Sequence, residues 1–347
     1  MSNYIQIENR KIGIDYPPVV IVEIGINHGG SITTAFEMVD AAHSVGAEVI
    51  KHQTHIIEDE MSHHAKNIIP NNSDISIYDI INNCSLSEKE EIELKNYIES
   101  KGMIFISTPF SRSAVDRLER MNVPAYKIGS GECNNLPLIE YVASFGKPII
   151  LSTGMNDMES ITKSVDIIRS KNIPFALLHC TNIYPTPPHL VRLNAMTQLS
   201  KRFPEAIIGL SDHTVTNNPC LGAISLGASI VERHFTDHKK RTGPDIICSM
   251  DTQDLKNLIE GVNILYKCRG GNKKPIKEEE STINFAYSSV VTIKDIKKGE
   301  KFTMENIWVK RPGTGEILAK DFNSILGKKS TTNLKNDTQL KLSDINN

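Results

Sequence analysis

Short runs of apolar and β-branched residues recur along the chain at positions 19–25, 48–54, 103–108, 125–130, 148–153, 175–180, 207–212 and 229–235. Stretches with the 3.6-residue period of amphipathic helices separate them, for example at 35–45, 88–101, 114–121, 160–169 and 254–267. The runs are near-continuously apolar rather than alternating, the pattern of parallel strands buried on both faces. Eight such strands alternating with helices over roughly 250 residues is the count that closes a (β/α)8 TIM barrel. An open doubly wound sheet is the other arrangement of this rhythm, but no glycine-rich nucleotide turn follows the first run.

One interval breaks the rhythm. Between Thr54 and Met103 the chain carries HIIEDEMSHHAKNIIPNNSDISIYD before the next helical stretch. A long insertion after a barrel strand sits at the catalytic face, so residues 55–80 are expected to cover a substrate. The barrel pattern ends near Arg269. A Gly-Gly-Asn-Lys-Lys-Pro stretch and a KEEE charge run then mark a linker over 270–284. From 285 to 347 the texture changes to short alternating strands, Lys-Gly turns and one brief helix signal at 319–326. Three segments result: a barrel over 1–269, the linker, and a small α+β domain near the lower size limit for folding alone, expected to pack on a barrel.

Composition narrows the function. The 347 residues carry 39 Lys+Arg against 41 Asp+Glu, a net charge of -2, which argues against a nucleic-acid binder. No apolar stretch approaches the ~20 residues of a spanning helix, and MSNYIQIENRK lacks a basic-then-apolar leader, so a cytoplasmic protein without a membrane partner is expected. The six cysteines include no C-x-x-C pair and read as free thiols. Cys133 lies near candidate site residues, and a buried apolar role is favoured for it.

Polar residues cluster at the ends of the strands, where barrel active sites form. They are Glu23, Lys51 and Gln53, Thr108, Lys127 and Ser130, Ser152, Asn182 and Tyr184, Ser211 and His213, and Glu232 and His234. The pairs Lys51/Gln53, Asn182/Tyr184, Ser211/His213 and Glu232/His234 are two apart, so both members can face the lumen. His213 and His234 end adjacent strands about 4.8 Å apart and could share one divalent cation in an open site. Two hydrogen-bonded core histidines are the plainer alternative. His28, His52, His55, His63, His64, His179 and His189 gain no such support as ligands. Lys51 and Lys127, costly to bury without an anion, form with the hydroxyls a cradle suited to phosphate and carboxylate. A Schiff-base lysine or a buried ion pair of Lys51 with Glu23 competes with that reading.

Taken in order, EIGINH, KHQTHIIEDEMS, STPFS, YKIGSGECNN, STGM, LHCTNIYPTP, GLSDHT and ERHFT resemble the sialic acid synthases. IWVKRPGTG resembles that family's C-terminal antifreeze-like (SAF) domain. The resemblance spans nearly the whole chain. It implies an enzyme that condenses phosphoenolpyruvate with an N-acylated hexosamine and water, releasing phosphate. In bacterial members the acceptor is N-acetylmannosamine and the product N-acetylneuraminate. It also implies Mn2+ (Mg2+ or Co2+ as alternatives) and a domain-swapped homodimer. On the matching positions, His213 and His234 hold the metal. Lys51, Thr108, Lys127, Ser130, Ser152, Asn182 and Ser211 hold phosphoenolpyruvate. Gln53, Asn72, Phe110, Tyr184, Glu232 and Asp245 belong with the substrate site, mostly facing the sugar, and Arg311 reaches the partner's site. Glu23 is expected to orient or deprotonate the attacking water and to stabilise the developing cation. A legionaminate or pseudaminate synthase would share everything but the sugar pocket, and the HQTHIIEDEMS and GECNN stretches favour the N-acetylneuraminate branch. A non-catalytic sugar- or ice-binding protein has no need of Glu23, both lysines and both histidines together.

Overall fold

The computed structural model describes residues 3–70 and 74–346. Its contacts divide the chain into two units, Met1–Arg269 and Gly270–Asn347.

The first unit opens with a hairpin of β1 (Tyr4–Ile7) and β2 (Arg10–Gly13). Eight parallel strands follow: β3 (Val19–Gly25), β4 (Val49–Thr54), β5 (Ile104–Pro109), β6 (Tyr126–Ile128), β7 (Ile149–Ser152), β8 (Phe175–Cys180), β9 (Ile207–Asp212) and β10 (Ile230–His234). They pair in sequence, and β10 pairs with both β9 and β3, closing the barrel. The helices are α1 (Ile32–Ser44), α2 (Ile57–Glu60), α3 (Ile77–Cys84), α4 (Glu88–Ser100), α5 (Arg112–Arg120), α6 (Leu136–Ala143), α7 (Met158–Ser170), α8 (Asn194–Arg202), α9 (Asn218–Ser225) and α10 (Thr252–Cys268). Their starts are written in the sequence. Ser31, Ser87, Ser111, Asn135, Asp157 and Asp251 each accept a bond from an orphan N–H of the first turn, with full capping boxes at Ser87 and Asp251.

The two-residue period of the strands builds two layers. One set of side chains, among them Val20, Val22, Ile50, Phe105, Tyr126, Leu151, Leu177 and Val231, packs outward against the helices. The alternate set points into the lumen. Its lower rows are apolar: Val19, Ile21, Val49, Ile106, Ala125, Ile150, Ala176, Leu178, Ile207 and Ile230. Ile5, Ile7 and Ile12 of the hairpin join that cluster and plug the N-terminal end, a device absent from the sequence reading. Continuing each row by two residues, or in β9 by four past Gly209, reaches Glu23, Lys51, Thr108, Lys127, Ser152, Cys180, Ser211 and Glu232. The barrel is thus dry below and polar above.

The insertion after β4 folds into α2, a 3-10 turn at His63–Asn67, and α3. Asn72 lies outside the described residues. The expected linker also needs correction: Gly270 and Gly271 do take left-handed φ values of 90° and 82°, but helix α11 (Glu280–Ala286) runs across the expected boundary at 284. The second unit pairs β11 (Ser289–Thr292) with β12 (Ile307–Lys310). The helix signal near 319–326 forms a 3-10 turn and α12 (Phe322–Ile325), and β13 (Lys329–Ser330) pairs with β14 (Ile345–Asn346). Val290, Ile296, Phe302, Ile307, Ile317, Ile325, Leu334 and Leu340 form a separate core. Among the described residues no helix is long and apolar enough to cross a membrane.

Candidate active site

A cavity of about 140 Å3 opens at the C-terminal ends of the barrel strands. Glu23, Lys51, Gln53, Thr108, Phe110, Lys127, Ser130, Ser152, Asn182, Tyr184, Ser211, His213, Glu232 and His234 line it. Both members of every period-two pair therefore face one space. Asp245 does not line the cavity; its Oδ2 lies 3.8 Å from His234 Nδ1. Arg311 is an exposed residue of the second unit. Cys133 is buried in the outer core layer.

The floor is a four-charge cluster. Lys51 pairs with Glu23 and lies 3.8 Å from Glu232, whose Oε1 is also 3.3 Å from Lys127. Lys51 donates to Thr108 Oγ1 at 3.3 Å, and Ser211 donates to Glu232 at 3.2 Å. Gln53 Nε2 donates to the other oxygen of Glu23 at 3.1 Å. All four charged groups are buried, which only mutual pairing makes tolerable. Burial pushes the Glu23 carboxyl up to about 7, against the pull of Lys51 and with the push of Glu232. Burial also acts to raise Glu232, but Lys127 and Lys51 outweigh it and hold that carboxylate below its usual range. Burial lowers Lys127, while the two carboxylates lift Lys51 despite its burial. The ion pair expected as an alternative for Lys51 is real, yet it does not exclude an anion site. Both lysines line the cavity, so an anion bound there would share them with the carboxylates rather than replace them.

Several buried polar atoms of this site have no hydrogen-bond partner: Ser152 Oγ, Asn182 Oδ1, Glu232 Oε2 and His234 Nδ1. Buried polar groups are rarely left so, and a cluster of them in one cavity marks a place built for a polar ligand. Gly154 lets this happen. A Cβ there would run into Asn182 Oδ1 and lie 2.8 Å from Ser130 Oγ, while its N–H donates to that same hydroxyl at 3.0 Å.

His213 and His234, the two residues that could hold a divalent ion, stand side by side at the strand ends. The rings of His213 and His234 are 5.4 Å apart. His213 Nδ1 is bound to the Thr181 carbonyl at 2.9 Å, which fixes the ring and frees Nε2 as a ligand. Burial lowers His213 to about 4 and His234 to about 3, so both rings are neutral and their lone pairs available at pH 7. Among the described residues no three His, Cys, Asp or Glu side chains converge as a metal-binding group. A cation here would complete its shell with water or substrate oxygens. Arg233, fully buried between these strands' loops, bonds Asn217 Oδ1 at 2.6 Å and the carbonyls of Thr214 and Cys248, fastening the segments that carry both rings.

Three features escaped the sequence reading. Cys180 lines the cavity, two residues before Asn182 in the same lumen row; burial pushes its thiol up to about 11, so it is a neutral wall group. Gly129 and Gly131 line it as well. His55, set aside as unsupported, contacts Gln53 and stacks on Phe110. The two-residue spacing Lys51, Gln53, His55 was the signal that could have found it.

A parallel barrel with a polar lumen top, two lysines, two carboxylates and two neutral histidines is an enzyme-like site. Residues 38–274 match the NeuB family and residues 287–346 match the SAF domain, and the chain belongs to the NeuB family. It is 39% identical to an uncharacterised protein of Methanocaldococcus jannaschii over 96% of this chain and 95% of that one. It is 36% identical to N,N'-diacetyllegionaminic acid synthase of Campylobacter jejuni over 93% and 98%. Among solved structures, the sialic acid synthetase of Leptospira borgpetersenii superposes with a TM-score of 0.75 at 30% identity, covering 82% of this chain and 96% of that one.

Proposed function

We propose that this protein condenses phosphoenolpyruvate with an N-acylated hexosamine and water, giving a nonulosonic acid and phosphate. N-acetylmannosamine is the proposed acceptor and N-acetylneuraminate the product. The observation that carries the reading is one cavity in which two lysines and unpartnered hydroxyl and amide groups meet Glu23 and two neutral histidines. Lys51, Lys127, Thr108, Ser130, Ser152, Asn182 and Ser211 would take the phosphate and carboxylate of phosphoenolpyruvate, the lysines being shared with Glu23 and Glu232. Gln53, Phe110 and Tyr184, at the mouth side of the same cavity, would receive the sugar, with Glu232 and Asp245 nearby. His213 and His234 would hold a divalent ion, Mn2+ foremost, which when bound supplies Lewis acidity toward the sugar carbonyl. C3 of phosphoenolpyruvate forms the new bond to the sugar aldehyde carbon, leaving cationic character at C2. Glu23, raised toward neutrality, takes a proton from the water that adds there, and that proton goes on to the alkoxide left on the sugar. The tetrahedral centre then loses phosphate by C–O cleavage, its hydroxyl proton leaving with the phosphate while the lysines hold the departing charge.

The loops at this mouth leave Ile68, Ile69, Met155, Ile183, Val215 and Ile247 exposed. An apolar rim around a catalytic opening supports a covering partner, and we place a second copy of the chain there as a homodimer. The free cysteines fit a reducing compartment, so the cytoplasm is its proposed location.

The decisive assay measures phosphate release from phosphoenolpyruvate, with and without N-acetylmannosamine, in chelated enzyme and after Mn2+ is restored. Release that requires both sugar and metal is the expected result. The similarity to the Campylobacter enzyme favours a diacetamido-hexose as the second acceptor to try. Release with neither sugar would overturn the reading.

A further inference from the structure

Glu23 is gripped from both sides: Lys51 meets one oxygen and the Gln53 carboxamide the other. A carboxamide can rotate half a turn and present its oxygen instead of its NH2. Turned that way, Gln53 would set a carbonyl against the Glu23 carboxylate. What holds it in the useful orientation is His55, a buried ring one lumen step further along the chain. His55 Nε2 lies 3.1 Å from Gln53 Oε1, and its Nδ1 lies 2.7 Å from Glu60 Oε2. Helix α2 turns the chain back so that Glu60 can reach the ring, and Asp59 pins this turn by accepting from the N–H of Ser113 at 2.7 Å. The same ring stacks on Phe110, centroids 4.4 Å apart and planes within 13°.

Both atoms that His55 faces are acceptors. An amide oxygen accepts only, and so does an ionised carboxylate. An imidazole that bonds both must donate from both nitrogens. The other ionisable groups near this pair are His52, His28 and Glu91 around the ring and Glu132 beside Glu60. Among the ring's direct contacts, Glu60 is the carboxylate.

We propose that His55 is a positioning residue: a doubly protonated imidazole, paired with Glu60, that orients the Gln53 carboxamide toward Glu23 and backs the ring of Phe110. Two cavity-lining side chains are thereby set by one ring behind the wall. Its catalytic consequence rests on the function proposed above; its protonation does not.

The test has two parts. In full-length protein labelled with 15N at histidine and free of substrate, proton-nitrogen correlation spectra report both ring nitrogens, and His55→Gln assigns the resonances. Both nitrogens protonated at neutral pH is expected; a bare Nδ1 or Nε2 overturns the proposal whatever the substrate proves to be. In turnover with the acceptor identified by the phosphate assay, His55→Gln and Glu60→Ala should lower kcat about 10- to 100-fold, the usual cost of removing an outer-shell partner, with the phosphoenolpyruvate KM unchanged. Glu60→Gln can donate to Nδ1 of a neutral ring and keep Nε2–H on Gln53, so it should recover most of that loss. Equal defects in Glu60→Ala and Glu60→Gln, or an unchanged kcat in His55→Gln, overturn the positioning role.

Discussion

Glu23 shows how position alone changes what a carboxyl group can do. Completely buried at the end of β3, it is lifted to about 7, although Lys51 stabilises its ionised form. A group in that range can both take and return a proton near neutral pH. With the basic form required, kcat/KM should rise with pH through about 7 and level off above it. Glu23→Gln keeps the hydrogen-bonding shape but cannot accept the proton. It should bind phosphoenolpyruvate while kcat falls about 100- to 10,000-fold, the usual contribution of a positioned base. Calorimetric binding together with steady-state rates checks both halves, and turnover at the wild-type level would remove Glu23 from the chemistry. At this scale most of the site was legible in the chain, because residue type and two-residue spacing decide what faces the lumen. His55 was not, because its role depends on Glu60 and Phe110 arriving from elsewhere. Asp245 beside His234 was legible only through resemblance, since no strand carries it.

At the scale of elements, each barrel strand carries an apolar lower half and a polar tip, and the eight tips make the site together. The strand rhythm was readable because the outward set and the lower lumen set are both apolar, leaving no alternation to blur the runs. The hairpin of β1 and β2 was missed because its short strands pair only with each other; its three isoleucines gain meaning from the lumen they plug. The turn after β7 offers a sharp test of how finely the tips are fitted. Gly154 does not occupy the left-handed region, so alanine costs no backbone strain there. Its methyl group would instead push Asn182 and the Ser130 hydroxyl, both flexible side-chain ends, out of the cavity. Gly154→Ala should therefore fold, with a destabilisation no larger than the ~1–3 kcal/mol of ordinary overpacking. Its affinity for phosphoenolpyruvate should nevertheless fall about tenfold or more, about 1.4 kcal/mol per decade. Thermal unfolding and direct titration of the same variant separate the two effects; unchanged affinity would mean that Ser130 and Asn182 do not hold the ligand.

At the scale of the whole molecule, the two units raise the question of how many chains build one site. Arg311 follows β12 on a loop that is firmly held. The Pro312 carbonyl accepts from Ser289 Oγ at 2.8 Å, and the N–H of Gly313 donates to the Asn284 carbonyl at 2.8 Å. The guanidinium itself is exposed. A fixed loop presenting a free cation suits an anion- or carbonyl-binding contact made to another surface. The apolar rim at the barrel mouth is the surface we propose it meets on a second copy. If Arg311 completes the site of a second copy, Arg311→Ala and Glu23→Ala damage different halves of each site. Mixing the two variants then forms mixed dimers, in which one site pairs an intact barrel with an intact Arg311 and the other has lost both. Random exchange at equal amounts makes half the dimers mixed, and half their sites whole, so activity should recover to about a quarter of wild type. If instead each chain serves itself, every site in the mixture carries one lesion, and activity stays at the average of the two variants. Measuring turnover before and after subunit exchange distinguishes these outcomes, because recovery must appear with the kinetics of exchange and not on simple addition.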